Sequence, residues 1–241
     1  MIRRVTFAAS PALAASFFLT AALVVASTPL RAATYTLEPD YTQGVFRWNH
    51  LGFSSPAAQF AQGTGTLEFD PSDPGKSSVQ VTIPLASLNT GVPALDEDFR
   101  STDFFDTAKF PTATFKSTKV VKRAAADHLD VTGDLSLHGV TKPVMLDVTM
   151  VKIGTNPRTN VPTVGFDATT TLKRSDFGLG KYVPQVGDEI QMHIIVQAVD
   201  AAANAEYQTA LAARRAAKAM EAAKDAAKGA AKDAAQDEAK K

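Results

Sequence analysis

The sequence contains no cysteine. That excludes disulfides, thiol catalysis and thiolate metal sites, so the fold must stand on its hydrophobic core alone. Net charge is also missing: 25 basic residues balance 25 acidic ones. No basic stripe interleaves with aromatics, which excludes nucleic acid as a partner class. The usual catalytic signatures are absent as well. There is no Gly-x-Ser-x-Gly elbow, no His-Glu-x-x-His and no Gly-rich phosphate loop. The Asp96, Glu97 and Asp98 carboxylates fall together in a polar stretch and need no catalytic explanation. The four histidines show no metal-ligand spacing among themselves. These absences point away from an enzyme and towards a binding protein, with no catalytic residue, metal or cofactor expected.

What is present begins with residues 1–32. Arg3 and Arg4 precede an uncharged run from Val5 to Leu30, and Leu30, Arg31 and Ala32 resemble a cleavage site. The run is long enough to span a bilayer, but its Ala, Ser and Thr content favours a signal peptide cut near Ala32. A periplasmic or secreted location follows. Losing Arg3, Arg4 and Arg31 from the 25 basic residues leaves 22 against 25 acidic, a mildly acidic mature chain.

From Tyr41 to Val199 the pattern has period two. Phe46, Trp48 and His50 alternate with Val45, Arg47 and Asn49. Similar sets begin at Gly63, Val79, Thr112, Leu129, Val144, Val164 and Ile190. Alternation of this kind means one dry and one wet face. The links are short and rich in turn residues. Eight such strands predict an all-β, antiparallel meander that closes as a barrel or stacks as a sandwich. Gly63, Gly65 and Gly133 on the dry face predict bends or close approach.

Residues 96–117 break the rhythm. Phe99, Phe104 and Phe105 sit among charges with no strand period, and Pro111 ends the segment. We read residues 96–108 as a short helical or looped cap whose aromatics plug one end of the β-structure, with a strand following at residues 112–117. Arg100 and Asp103 could pair along one turn. Arg174 and Asp176 flank another turn and could meet a headgroup or pair with Asp103 or Asp106; the first reading is a structural salt bridge that holds the cap. His50 reads first as a core histidine and second as a headgroup contact at a mouth. His138 reads as structural, and His128 and His193 as exposed. Residues 201–241 change character to Ala, Lys, Asp, Glu and Gln, and predict a tail that is partly helical or disordered.

Several stretches then carry a family likeness: His50-Leu51-Gly52-Phe53-Ser54; Asn89-Thr90-Gly91; Arg100-Ser101-Thr102-Asp103-Phe104-Phe105-Asp106; Phe110-Pro111-Thr112; Gly133-Asp134-Leu135 through Pro143-Val144; and Arg174-Ser175-Asp176-Phe177-Gly178. Six motifs in order make the chain resemble the YceI-like family of exported, lipid-binding proteins. The resemblance implies an eight-stranded, lipocalin-like antiparallel barrel across residues 33–200. It implies a non-covalently held long-chain amphiphile, such as a polyisoprenoid, an isoprenoid quinone or a fatty-acid derivative. Homodimerisation and transient membrane contact for loading are further expectations. On this reading Phe46, Trp48, His50, Phe60, Phe69, Phe99, Phe104, Phe105, Phe115, Phe166 and Phe177 line or cap the bore, and plain core packing is the alternative for each aromatic. Other readings are an envelope stress or scaffolding protein that acts through its tail, and an enzyme on lipid-like substrates.

Overall fold

The computed structural model describes residues 32–125 and 127–238. The signal-peptide expectation, residues 1–32, lies outside the described residues except for Ala32. The first two barrel strands are each broken in two. Strands β1 (Ala33–Leu37) and β2 (Gln43–Arg47) both run antiparallel to β10 (Glu189–Asp200), with Tyr35 opposite Asp200 and Phe46 opposite Met192. Strand β3 (Ala57–Phe60) pairs with β2, and β4 (Thr64–Phe69) pairs with β1. A 3-10 turn at Pro39–Tyr41 interrupts the first path. Gln62, with φ of 60°, lies in the break of the second.

The sheet continues from β4 through β5 (Ser78–Pro84), β6 (Thr112–Lys122), β7 (His128–Leu137), β8 (Val140–Thr155) and β9 (Pro162–Lys173) to β10. The pairing of β10 with β1 closes the ring. The barrel is therefore eight-stranded and antiparallel, as the alternation and the resemblance implied. Two expectations about strand extent need correction. Strands β1 and β3 were not expected, because each is short and neither shows a long alternation. Strand β6 runs past Ser117 to Lys122, since a bulge at Ser117/Lys119 lets pairing with β7 resume at Lys119 and Thr132.

The inward faces follow the period-two reading. Leu67, Phe69, Leu129, Val131, Val164, Phe166, Ala168 and Ala198 are all buried in one cluster. Gly133 serves close approach: a Cβ there would stand 2.6 Å from the Lys116 carbonyl oxygen and 2.7 Å from Phe115 Cε2. Its bare backbone makes room for the Phe115 ring inside the barrel.

The two ends differ. Four connections meet at one end: the β2–β3 turn, the long β5–β6 link, the two-residue hairpin His138-Gly139, and the β9–β10 link. The β5–β6 link carries the helix α1 (Pro93–Arg100). The other end holds the β4–β5, β6–β7 and β8–β9 links and the start of α2 (Ala201–Glu238). The tail, expected to be partly helical or disordered, is one continuous helix of 38 residues, about 57 Å long at 1.5 Å per residue. Alanine's helix propensity accounts for this, helped by an N-terminal cap in which Ala203 N–H donates to Asp200 Oδ1 at 2.8 Å. It packs against β1 and β10 at its base. Among the described residues, no helix is long and apolar enough to cross a membrane.

Candidate ligand-binding bore

Inward-pointing rows can meet side chain to side chain, or they can leave a void. Here they leave two. An upper cavity of about 520 Å³ lies beneath the four-connection end. A lower one of about 170 Å³ lies deeper in the barrel. Phe60, Ile83, Leu135, Leu172 and Met192 line both, so the two voids share a wall and form one interrupted bore. The upper volume is within the roughly 300–1,000 Å³ range of small-molecule sites.

The structure distributes the aromatics named from the sequence between these voids. Phe46, Trp48, Phe60, Phe99, Phe104, Phe105 and Phe177 line the upper cavity. Phe69, Phe115 and Phe166 line the lower one, again with Phe60. They also contact one another. Phe46 stacks on Phe60 at 5.3 Å between centroids, and Trp48 meets Phe99 edge-on at 5.4 Å. Phe69 meets Phe166 edge-on at 5.5 Å. Sequence reading missed the aliphatic half of the lining, including Ile83, Leu135, Leu172 and Met192. They were visible as dry-face positions but carried no signal that set them apart from ordinary core.

The cap is built on α1. Pro93 occupies the first turn, where its missing N–H is no loss. Asp96 anchors the helix to the preceding loop: Thr90 donates both its N–H and its Oγ1–H to Asp96 Oδ1 at 2.7 Å. These two bonds hold the Asp96 carboxyl below its ordinary pKa. Leu95 and Phe99, one turn apart, face the bore. After Arg100 the chain doubles back, with Phe105 N–H donating to the Phe99 carbonyl at 2.9 Å. That reversal sets Phe104 and Phe105 beside Phe99. Phe104 also reaches Tyr182 of the β9–β10 link, at 6.3 Å between centroids.

The polar groups depart from expectation. Arg174 makes no salt bridge to Asp103 or Asp106. Its guanidinium donates instead to four backbone carbonyls: Gly187 at 2.9 Å, Lys181 at 2.8 Å, Val186 at 3.0 Å, and Leu179. The β9–β10 link thus folds around one side chain. Burial pulls the guanidinium below its ordinary pKa, with the Asp188 charge opposing. Asp103 pairs with Lys181, raising the lysine's pKa through that hydrogen bond and tying cap to link. Arg100 does not use Asp103 either; it donates to the Leu88 carbonyl at 2.7 Å. His50 is exposed and is no core histidine. It lines the bore's rim, because the β2–β3 turn leaves the barrel wall at that point. His138 is structural as read: it hydrogen-bonds the Phe177 carbonyl at 3.1 Å and lies against Phe110. His128 is paired loosely with Asp127 and Asp147, and His193 with Asp167. Among the described residues, no group of His, Cys, Asp or Glu could hold a metal.

A larger hollow of about 1,150 Å³ lies over β8, β9, β10 and β2. Its wall mixes Arg47, Arg123, Lys142 and Lys173 with Asp147 and Asp176. Size alone does not make it the site. Its charges are solvated, and Arg123 is already clasped by Asp130 and Asp147. The bore is apolar, enclosed by the sheet and capped, which is the arrangement that takes an apolar ligand out of water.

A closed antiparallel barrel with a capped apolar bore defines a lipocalin-like class of single-ligand barrels. The comparisons narrow this class. The model of the YceI-like domain matches residues 35–198, and the chain belongs to that family. It is 36% identical over 181 residues to Protein YceI of Escherichia coli O157:H7, covering 74% of this chain and 93% of that protein. The crystal structure of Burkholderia cenocepacia BcnA is similar at TM-score 0.57 and 27% identity, covering 64% of this chain and 95% of that one. A polyisoprenoid binding domain from Saccharophagus degradans shares the fold at TM-score 0.53 and 17% identity, over 70% of this chain and 99% of that one.

Proposed function

We propose that this protein binds a long-chain amphiphile in its bore and sequesters or carries it, as an exported protein of the periplasm or the extracellular space. The class of cargo is a polyisoprenoid, an isoprenoid quinone or a fatty-acid derivative. The observation that carries the reading is the pair of adjoining apolar voids inside a closed barrel. Shared fold with a polyisoprenoid binding domain supports it. Each buried methylene contributes roughly 0.8 kcal/mol. About ten would give ~8 kcal/mol before ordering costs, enough for micromolar binding without a strong polar contact. No covalent step is involved: the tail leaves water, the bore's side chains enclose it, and the headgroup stays near His50 and Tyr182 at the rim.

Native mass spectrometry of protein purified without harsh detergent tests the reading. The expected result is an added mass that lipid extraction identifies as a long-chain amphiphile. A protein that carries no such mass, and takes none up from a lipid extract, would overturn it.

A further inference from the structure

The connections at the cap end bear apolar side chains that the barrel does not use. Phe53 is 90% exposed and Leu51 49%, both in the turn between β2 and β3. Tyr182, 56% exposed, stands in the β9–β10 link, and Val92, 53% exposed, precedes α1. The turn is held beside that link by a bridge from His50 to Val186 and by Gly187 N–H donating to the Asn49 carbonyl at 2.8 Å. It is built, not loose. His50 N–H donates to the Ser54 carbonyl at 2.9 Å, Phe53 N–H to the His50 carbonyl at 3.0 Å, and Gly52 N–H to Asn49 Oδ1 at 2.8 Å. Leu51 occupies the left-handed region with φ of 56°, a conformation uncommon outside glycine and asparagine. Well-anchored backbone thus projects a leucine and a phenylalanine into water. The turn's flanks, His50 and Ser54, line the bore. The exposed apolar rim is therefore continuous with the apolar interior, and such surfaces mark interaction sites.

We propose that this rim docks onto a lipid bilayer, with Phe53 and Leu51 entering the interfacial region so that the bore's mouth rests on the lipid. The proposal builds on the cargo-binding function proposed above. A prenyl or acyl tail crossing water would expose its methylenes to solvent; a mouth seated on the bilayer removes that barrier. Charge selects the kind of bilayer. Exposed Glu97 and Asp98 stand on α1, Asp98 lines the mouth, and the nearby Lys181 is engaged by Asp103. Among the residues that line the mouth, Arg174 is the one lysine or arginine, and it is turned to backbone carbonyls, whereas Arg47, Lys142 and Lys173 face the separate hollow outside the wall. The rim itself carries no basic cluster of the kind that draws a protein to anionic lipid. The matching surface is a zwitterionic bilayer.

Flotation with phosphatidylcholine vesicles tests this. The chain from Ala32 onward is suitable, because it holds every strand of the closed ring and omits the preceding apolar run, which would itself bind lipid. Phe53→Ser should lower partitioning roughly tenfold, as expected for one exposed aromatic withdrawn from the interface. Val151→Ser, at the opposite end and 60% exposed, should leave it unchanged. Adding phosphatidylglycerol should not strengthen binding. Equal partitioning of Phe53→Ser and wild type, no partitioning by wild type, or binding that requires phosphatidylglycerol would overturn the proposal. So would velocity sedimentation showing wild-type dimers that Phe53→Ser abolishes in the absence of vesicle binding, since the rim would then pair two copies. The fluorescence of Trp48, the sole tryptophan, on addition of farnesol reads the bore separately. Vesicle binding without a Trp48 response would remove the cargo reading and keep the docking surface.

Discussion

Glycine 133 carries a larger share of the architecture than its size suggests. Its place on the dry face of β7 was readable from alternation, but the reason for a glycine there was not, because the partner is the Phe115 ring across the ladder. Gly133→Ala should destabilise the barrel by ~1–3 kcal/mol, the usual effect of overpacking, seen as a lower urea midpoint at unchanged m-value. Arg174 is the second such residue. Four carbonyls converge on its planar fork, and a lysine ammonium cannot meet that geometry. Arg174→Lys should cost about 2 kcal/mol by leaving buried carbonyls under-satisfied, and amide exchange should rise first in residues 178–188. The expected salt bridge failed for a physical reason. A sequence shows which charges exist, but not that a loop's carbonyls will surround one of them. His50 failed similarly: strand parity put it on the dry face, yet the turn lifts the chain off the wall one residue too early for parity to hold.

At the scale of elements, long strands were legible and short ones were not. Strands β7 to β10 repeat their alternation often enough to fix both existence and face. Strands β1 and β3 span five and four residues, too few to rise above chance, and they acquire meaning only by pairing with β4 and β2. The cap was legible for a different reason. Phe99, Phe104 and Phe105 had no period to bury them, so they needed a hole, and the barrel supplies one. What joins the cap to the rim was not visible from spacing: the pairing of Asp103 with Lys181, 78 residues apart, and the contact of Phe104 with Tyr182. If the cap gates the bore, Asp103→Asn should speed ligand release a few-fold while leaving the association rate nearly unchanged, because most single-contact effects appear in the off-rate. Stopped-flow Trp48 fluorescence measures both. An unchanged off-rate would show that the aromatic contact alone holds the cap.

For the molecule as a whole, the open question from the sequence was which part acts, the barrel or the tail. The structure separates them in space. The bore opens under the cap, at the end where β2, β6 and β8 meet their connections. Helix α2 leaves from the opposite end, where β10 finishes beside the start of β1. Its residues 212–224 are exposed, and a solvated helix that touches only its root contributes little to the core it departs from. A chain stopped after Arg215 should therefore unfold within about 0.5 kcal/mol of the full chain and give the same Trp48 response to farnesol. A tail acting as scaffold predicts the converse pattern in cells: the truncated protein would still bind lipid and yet fail to complement a deletion strain. Complementation by the truncated chain, together with loss of complementation in a bore variant such as Leu135→Lys, would place the function in the barrel. Failure of the truncated chain alone would move it to α2.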